Sequence, residues 1–122
     1  MPLHLLLVFI GGGAGSLCRY AIGLLLSRHT QSHSFPLATF TANALGCMLI
    51  GMLIAHLDRQ PHNGLRLLLV TGFCGGFTTF STFSHETLRL LTTGHHLTAI
   101  LYMTASLITA LTAVAAGFML VR

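Results

Sequence analysis

The sequence predicts an all-α integral membrane protein of four transmembrane helices, the third of them broken. Three observations carry this. The 122 residues are 53% hydrophobic and only 7% charged, against roughly 25% charged in an average soluble domain, so no water-facing surface can be made from them. The apolar residues fall in four segments, 3–26, 35–57, 66–91 and 97–121, each long enough for a hydrocarbon core that needs roughly 20 residues. The third segment then departs from plain leucine and isoleucine. From Gly72 to Glu86 it holds three glycines, four phenylalanines, a run of hydroxyls and the only glutamate of the chain. At about one domain's length, the chain is expected to form a single four-helix membrane unit.

Composition also excludes several classes. All six basic residues are arginine, and Asp58 and Glu86 are the only acids. The net charge of +4 is spread over segment ends rather than gathered in a run, so there is no nucleic-acid footprint. Cys18, Cys47 and Cys74 are isolated inside apolar segments and form no C-x-x-C pair, which makes them packing residues rather than a zinc site or disulfide framework. Most of the eight histidines lie at segment ends or in loops. His29 and His33 have i, i+4 spacing without an acidic partner, so no metal site is expected there.

The first segment, from Leu3, lacks a basic leader and runs too long for a signal-peptide core, so it reads as a retained helix. It contains Gly11-Gly12-Gly13-Ala14-Gly15-Ser16. The third glycine of a dinucleotide loop is missing, whereas Gly11 and Gly15 make a G-x-x-x-G face that lets helix backbones approach closely in lipid. Arg19 falls well inside this span. It either snorkels to the headgroups or lines a watery vestibule where its charge attracts anions. A polar loop follows over 28–34.

Phe35-Pro36 opens the second segment, proline being tolerated in a first helical turn. Asn43 sits near the middle, and its amide must bond another helix or something polar in a pore. Ala42 and Gly46 add a second small face. Residues 58–64 read as turn and loop.

In the third segment Gly72, Gly75 and Gly76 make a straight helix doubtful, and a break near 75–79 is expected. Non-helical backbone at that depth is tolerated only inside protein or beside water. A break exposes carbonyls at the end of one half-helix and N–H groups at the start of the next, which is how several transporters build ion sites. Beyond it, Phe80 and Phe83 share a face. After the loop 92–96, the fourth segment carries Tyr102, Ser106 and Thr109 as a polar stripe, with Thr112 roughly 80° off it. Each of these hydroxyls could instead bond the carbonyl four residues back.

Four spans put both termini on one side, together with Arg59, Arg66 and Arg122. Arg28 and Arg89 lie on the other, and so weak a bias does not orient the chain. The buried polar groups are nearly all donors or weak dipoles: the Asn43 amide, the hydroxyls of Ser81, Thr82, Tyr102 and Ser106, and phenylalanine ring edges, which are positive. The carboxylates expected along a cation or proton-coupled path are missing. Donors without carboxylates favour an anion.

Three strings stand out: Gly11-Gly12-x-x-Gly15-x-x-x-Arg19-Tyr20, Phe35-Pro36-x-x-Thr39-x-x-x-Asn43-x-x-Gly46, and Gly72-Phe73-Cys74-Gly75-Gly76-Phe77-Thr78-Thr79-Phe80-Ser81-Thr82-Phe83-x-x-Glu86. On these the chain resembles the Fluc (CrcB) fluoride channels of bacteria, over its whole length and in its number of spans. The third string is highly specific; the first alone would be weak. Ala38 departs from the family, which usually has glycine before the threonine, and a change in local helix packing is expected from it.

The resemblance implies passive, selective fluoride export across the bacterial inner membrane by an antiparallel, dual-topology homodimer with two pores along the subunit interface. By position, Phe80 and Phe83 correspond to the rings whose edges coordinate fluoride, Asn43 to the pore amide, and Ser81 and Thr82 to hydroxyls beside the rings. Tyr102, Ser106 and Thr112 correspond to a polar track on the fourth helix. Gly75 and Thr78 correspond to backbone carbonyls that hold a structural sodium ion at the dimer centre. Arg19 and Glu86 would stand near the pore vestibules. A small multidrug transporter, also of four spans and dual topology, is the alternative, but it wants a carboxylate deep in the first helix, and that segment has none. A non-transporting assembly subunit is a third reading. No constellation supports an enzyme.

Overall fold

The computed structural model describes residues 2–27, 35–59 and 63–122. The loop expected over 28–34, with His29 and His33, lies outside them. Among the described residues every regular element is helical: α1 (Pro2–Ser27), α2 (Leu37–Leu57), α3 (63–77), α4 (Phe80–Thr92) and α5 (His96–Val121). Four stretches are long and apolar enough to cross a membrane, with α3 and α4 together forming the third, Asn63–Thr92.

The bundle is built with lipid, not water, as its solvent. On α5 the large side chains Leu97, Ile100, Leu107 and Leu111 are exposed, while Ala99, Tyr102, Ala113 and Gly117 are buried. Helices in lipid gain little by hiding leucine from leucine-like tails, so their contacts favour small residues that bring backbones together. A Cβ on Gly51 of α2 would run into the Val114 carbonyl of α5, and one on Gly117 into the Met48 carbonyl. The same device joins α1 to α3, as the G-x-x-x-G face predicts. A Cβ on Gly11 would strike the Leu68 carbonyl, and one on Gly15 the Phe73 carbonyl. Gly15→Leu is therefore expected to cost about 1–3 kcal/mol or more, because backbone must move. Thermal unfolding of the purified protein checks this, with Gly23→Leu, which opens into free space, as the comparison.

The third span corrects the sequence-based picture in two ways. The glycines do not interrupt it: Gly72 lies in a π-helical stretch, Leu67–Cys74, and Gly75 is helical at φ −62°, ψ −37°. Gly72 and Gly76 are there for contact, since a Cβ on Gly72 would crowd the Val8 carbonyl at 3.0 Å and one on Gly76 would strike the Gly12 carbonyl, whereas Gly75 is exposed. The interruption falls just after them, at Thr78 (φ −89°, ψ 155°) and Thr79 (φ −151°, ψ 125°), where β-branched residues take extended geometry readily. The π-helical stretch itself was not legible. The span also begins at Asn63, so part of the expected 58–64 loop is helix.

Other ends follow local chemistry. Pro36 precedes α2 rather than joining its first turn, and its carbonyl accepts from Phe40 N at 3.1 Å. At the end of α4, Gly94 adopts φ +85°. This lets His95 N reach Leu90 O at 2.8 Å and Gly94 N reach Leu91 O at 3.3 Å, the paired closure of a Schellman turn. Asp58 and Arg66 pair at 2.5 Å across the loop between α2 and α3.

Candidate functional site

The break organises the site. A helix leaves its last four carbonyls and first four N–H groups without helical partners, and at this depth each one unmet costs several kcal/mol. At the end of α3, Thr78 turns back on Cys74: both its N–H (2.9 Å) and its hydroxyl (2.8 Å) donate to the Cys74 carbonyl. Arg19, reaching across from α1, donates from Nε to the Gly76 carbonyl at 3.1 Å. At the start of α4, the Thr79 hydroxyl accepts from Thr82 N at 3.2 Å, an ordinary N-cap. Ser81 and Thr82 gather round the same oxygen, with their hydroxyls at 3.2 and 3.3 Å from it.

Asn43 ties the break to α2. Its Oδ1 accepts from Thr79 N at 2.8 Å and its Nδ2 donates to Thr79 O at 3.1 Å. One amide thus satisfies both polar groups of one extended residue, as a neighbouring strand would, and Nδ2 keeps a second N–H. Two consequences follow. In a trans peptide the N–H and C=O point opposite ways, so holding the Thr79 N–H turns the Thr78 carbonyl away from α2. The Gly75 carbonyl loses its helical donors, because Thr78 N is spent on Cys74 and Thr79 N on Asn43.

Beside the break lies an open groove of about 480 Å³, lined by Asn43, Cys47, Thr78, Thr79, Phe80, Phe83 and Ser106 among others. Phe80 is 78% exposed, and its ring is tilted against Phe83 at 5.7 Å between centroids. Phe83 continues the ring series onto Tyr102 at 5.0 Å, and Phe35 meets Tyr102 edge-on at 5.2 Å. Tyr102 is fully buried, and its hydroxyl donates to Glu86 Oε1 at 2.9 Å. The Ser106 hydroxyl is buried, lines the groove and has no hydrogen-bond partner among the described residues.

Of the residues singled out by sequence, the structure brings Asn43, Phe80, Phe83 and Ser106 to one groove and couples Tyr102 to Glu86. Ser81 and Thr82 stand at the α4 N-terminus. Thr78 also lines the groove, whereas Arg19 and Gly75 do not. Thr112 stays apart from the groove: it is exposed, and its hydroxyl bonds the Ile108 carbonyl at 2.8 Å. Sequence reasoning missed Thr79 and Cys47. A threonine just before a helical segment is an N-cap signal, and Cys47 is one turn from Asn43, on the same helix face.

Four membrane-crossing segments around an interrupted third span define a small polytopic membrane protein with polar groups gathered at the interruption. A family model described as "CrcB-like protein, Camphor Resistance (CrcB)" matches residues 6–118, and the chain belongs to that family. It is 43% identical over 114 residues to the fluoride-specific ion channel FluC of Phocaeicola vulgatus, covering 93% of each chain. With the protein of the same name from Flavobacterium psychrophilum it shares 40% identity over 119 residues, 94% of each. With that of Chlorobium chlorochromatii the identity is 47% over 107 residues, 86% of this chain and 81% of the relative.

Proposed function

We propose that the protein is a passive, fluoride-selective channel that exports the ion across the bacterial inner membrane. It acts as an antiparallel, dual-topology homodimer with two pores along the subunit interface. The observation that carries this reading is the groove at the break. The rings of Phe80 and Phe83, the Asn43 amide with its remaining N–H, and the Ser106 hydroxyl, which has no partner among the described residues, all border one apolar space. These are donors or positive edges, and they suit a small anion that must shed its water. The N-terminus of α4 adds the positive end of a 13-residue helix beside them. The carboxylate nearest the rings, Glu86, is engaged by the Tyr102 hydroxyl. Selectivity against chloride comes from a narrow, rigid path that a larger ion cannot enter. Passive flow suffices because HF crosses lipid, dissociates in the cytoplasm and leaves fluoride to run down its gradient.

Dimerisation is supported by the polar surface a single chain leaves at span depth. Thr71 and Gly75 are exposed on the third span, where lipid offers the Thr71 hydroxyl and the Gly75 carbonyl nothing. The structural sodium ion of this reading would be held by two carbonyls of the break. The Gly75 carbonyl has lost its helical donors and the Thr78 carbonyl is turned away from α2. Uncharged carbonyl oxygens are hard ligands suited to a monovalent cation, and two chains would supply four. When bound, the ion supplies positive charge to carbonyl ends that lipid cannot solvate.

Proteoliposomes loaded with potassium fluoride and clamped with valinomycin test the reading. Fluoride is expected to leave and chloride to stay. Equal fluxes of the two ions would sink it.

A further inference from the structure

We propose that Arg19 is a positioning residue: through Nε its guanidinium caps the α3 C-terminus across the helix interface and fixes the break against α1. Within an unbroken helix the Gly76 carbonyl would accept from Phe80 N, but Phe80 instead opens α4. Thr78 covers Cys74 alone, and Asn43 holds Thr79 from the α2 side. Among the described residues no side chain of α2 or α3 donates to the Gly76 carbonyl. The bond from Arg19 at 3.1 Å meets that need from α1.

The approach is built into one face of α1. Gly12, Gly15 and Arg19 are spaced three and four apart, so they stack on the side that meets α3. A Cβ on Gly15 would strike the Phe73 carbonyl and approach Phe77 N at 2.8 Å, while Gly12 carries the carbonyl that any Cβ on Gly76 would hit. The glycines bring α1 against the last turn of α3, and Arg19 one turn later delivers its donor to the end of it. The charge also suits the place, since a cation at a helix C-terminus opposes the negative end of the dipole. An arginine this deep is costly unless it meets such a partner. Together Arg19 and Asn43 grip the break from two helices, one on each side of residues 77 and 78.

The isosteric pair Arg19→Gln and Arg19→Met tests this. The glutamine amide nitrogen stands the same number of bonds from the backbone as arginine Nε, so it keeps the donor without the charge. Methionine keeps the length and neither property. Hydrogen exchange at the amides of 77–80 is expected to be on the order of tenfold faster in Arg19→Met than in Arg19→Gln, as loss of one buried bond gives. A folded Arg19→Gln beside a misfolded Arg19→Met supports the cap equally. Indistinguishable exchange in the two, or failure of both to fold, overturns it. Fluoride efflux gives a second arm, which rests on the channel reading. Arg19→Gln should exceed Arg19→Met at every ionic strength. Equal deficits that fade at high salt would instead assign Arg19 to long-range attraction of anions and overturn the cap. Absence of efflux from the unaltered protein would remove the channel reading and leave the exchange result standing.

Discussion

Asn43→Leu is expected to lower stability by about 2–6 kcal/mol and to abolish fluoride efflux. Leucine is close in size, so little packing is lost, but the N–H and C=O of Thr79 lose both partners at once. Each buried polar group left unmet costs about 1–3 kcal/mol, and lipid offers no replacement. The damage is not confined to the groove. With Thr79 N released, the peptide between Thr78 and Thr79 is free to rotate, and the Thr78 carbonyl no longer points away from α2. The Gly75 carbonyl also regains its helical donor, so α3 can extend through the break. One substitution therefore acts on the proposed anion path and on the proposed sodium ligands together. Asn43→Asp, which keeps an acceptor for Thr79 N but offers no amide donor, should fall between. Melting of detergent-solubilised protein, followed by size exclusion because the chain has no tryptophan, measures the first effect. Liposome efflux measures the second. An Asn43→Leu protein as stable as the parent would show that the Asn43–Thr79 pair does not hold the break.

Phe80→Ile is expected to reduce fluoride efflux to below a tenth of the parent rate while leaving the melting temperature nearly unchanged. A tenfold loss is about 1.4 kcal/mol of barrier. Phe80 is largely exposed in the single chain, so it contributes little to packing within the subunit. What isoleucine removes is the ring: its positive edge, and its tilted contact with Phe83. Isoleucine is as apolar as phenylalanine, so a site that needed only a greasy wall would not notice. A large loss of flux with intact folding identifies the ring edge as the working part; unchanged flux would exclude Phe80 from the path. Phe83→Ile makes a poorer test, because Phe83 also packs on Tyr102 within the buried cluster of Leu90 and Ala99.

Much of this was legible because membranes impose coarse rules. Four apolar runs of the right length are four spans whatever their packing, and four stretches of the structure are long and apolar enough to cross a membrane. The Gly11–Gly15 face could be assigned to close contact from spacing alone, since few other uses exist for small residues at that interval in lipid. The break was expected for the wrong reason. Glycine's poor helix propensity pointed to Gly72, Gly75 and Gly76, but all three are helical, Gly72 and Gly76 in contact with α1. Propensity is a small term, and the steric demand of a neighbouring backbone outweighs it.

By itself the sequence determined the number of spans, the level at which the third is interrupted, and a stock of donors without matching carboxylates. These depend on composition and order, which no folding step can change. Partnership was decided only in the tertiary structure. Arg19 could have reached for headgroups, yet it takes the Gly76 carbonyl. Asn43 could have faced the pore alone, yet it first grips Thr79. Thr112 bonds its own helix, whereas Ser106, six residues earlier, keeps a hydroxyl without a partner among the described residues. The physical reason is that a buried polar group binds whichever partner packing places within about 3 Å. That distance is set by how closely the glycine faces let helices approach, and no reading of a linear chain contains it.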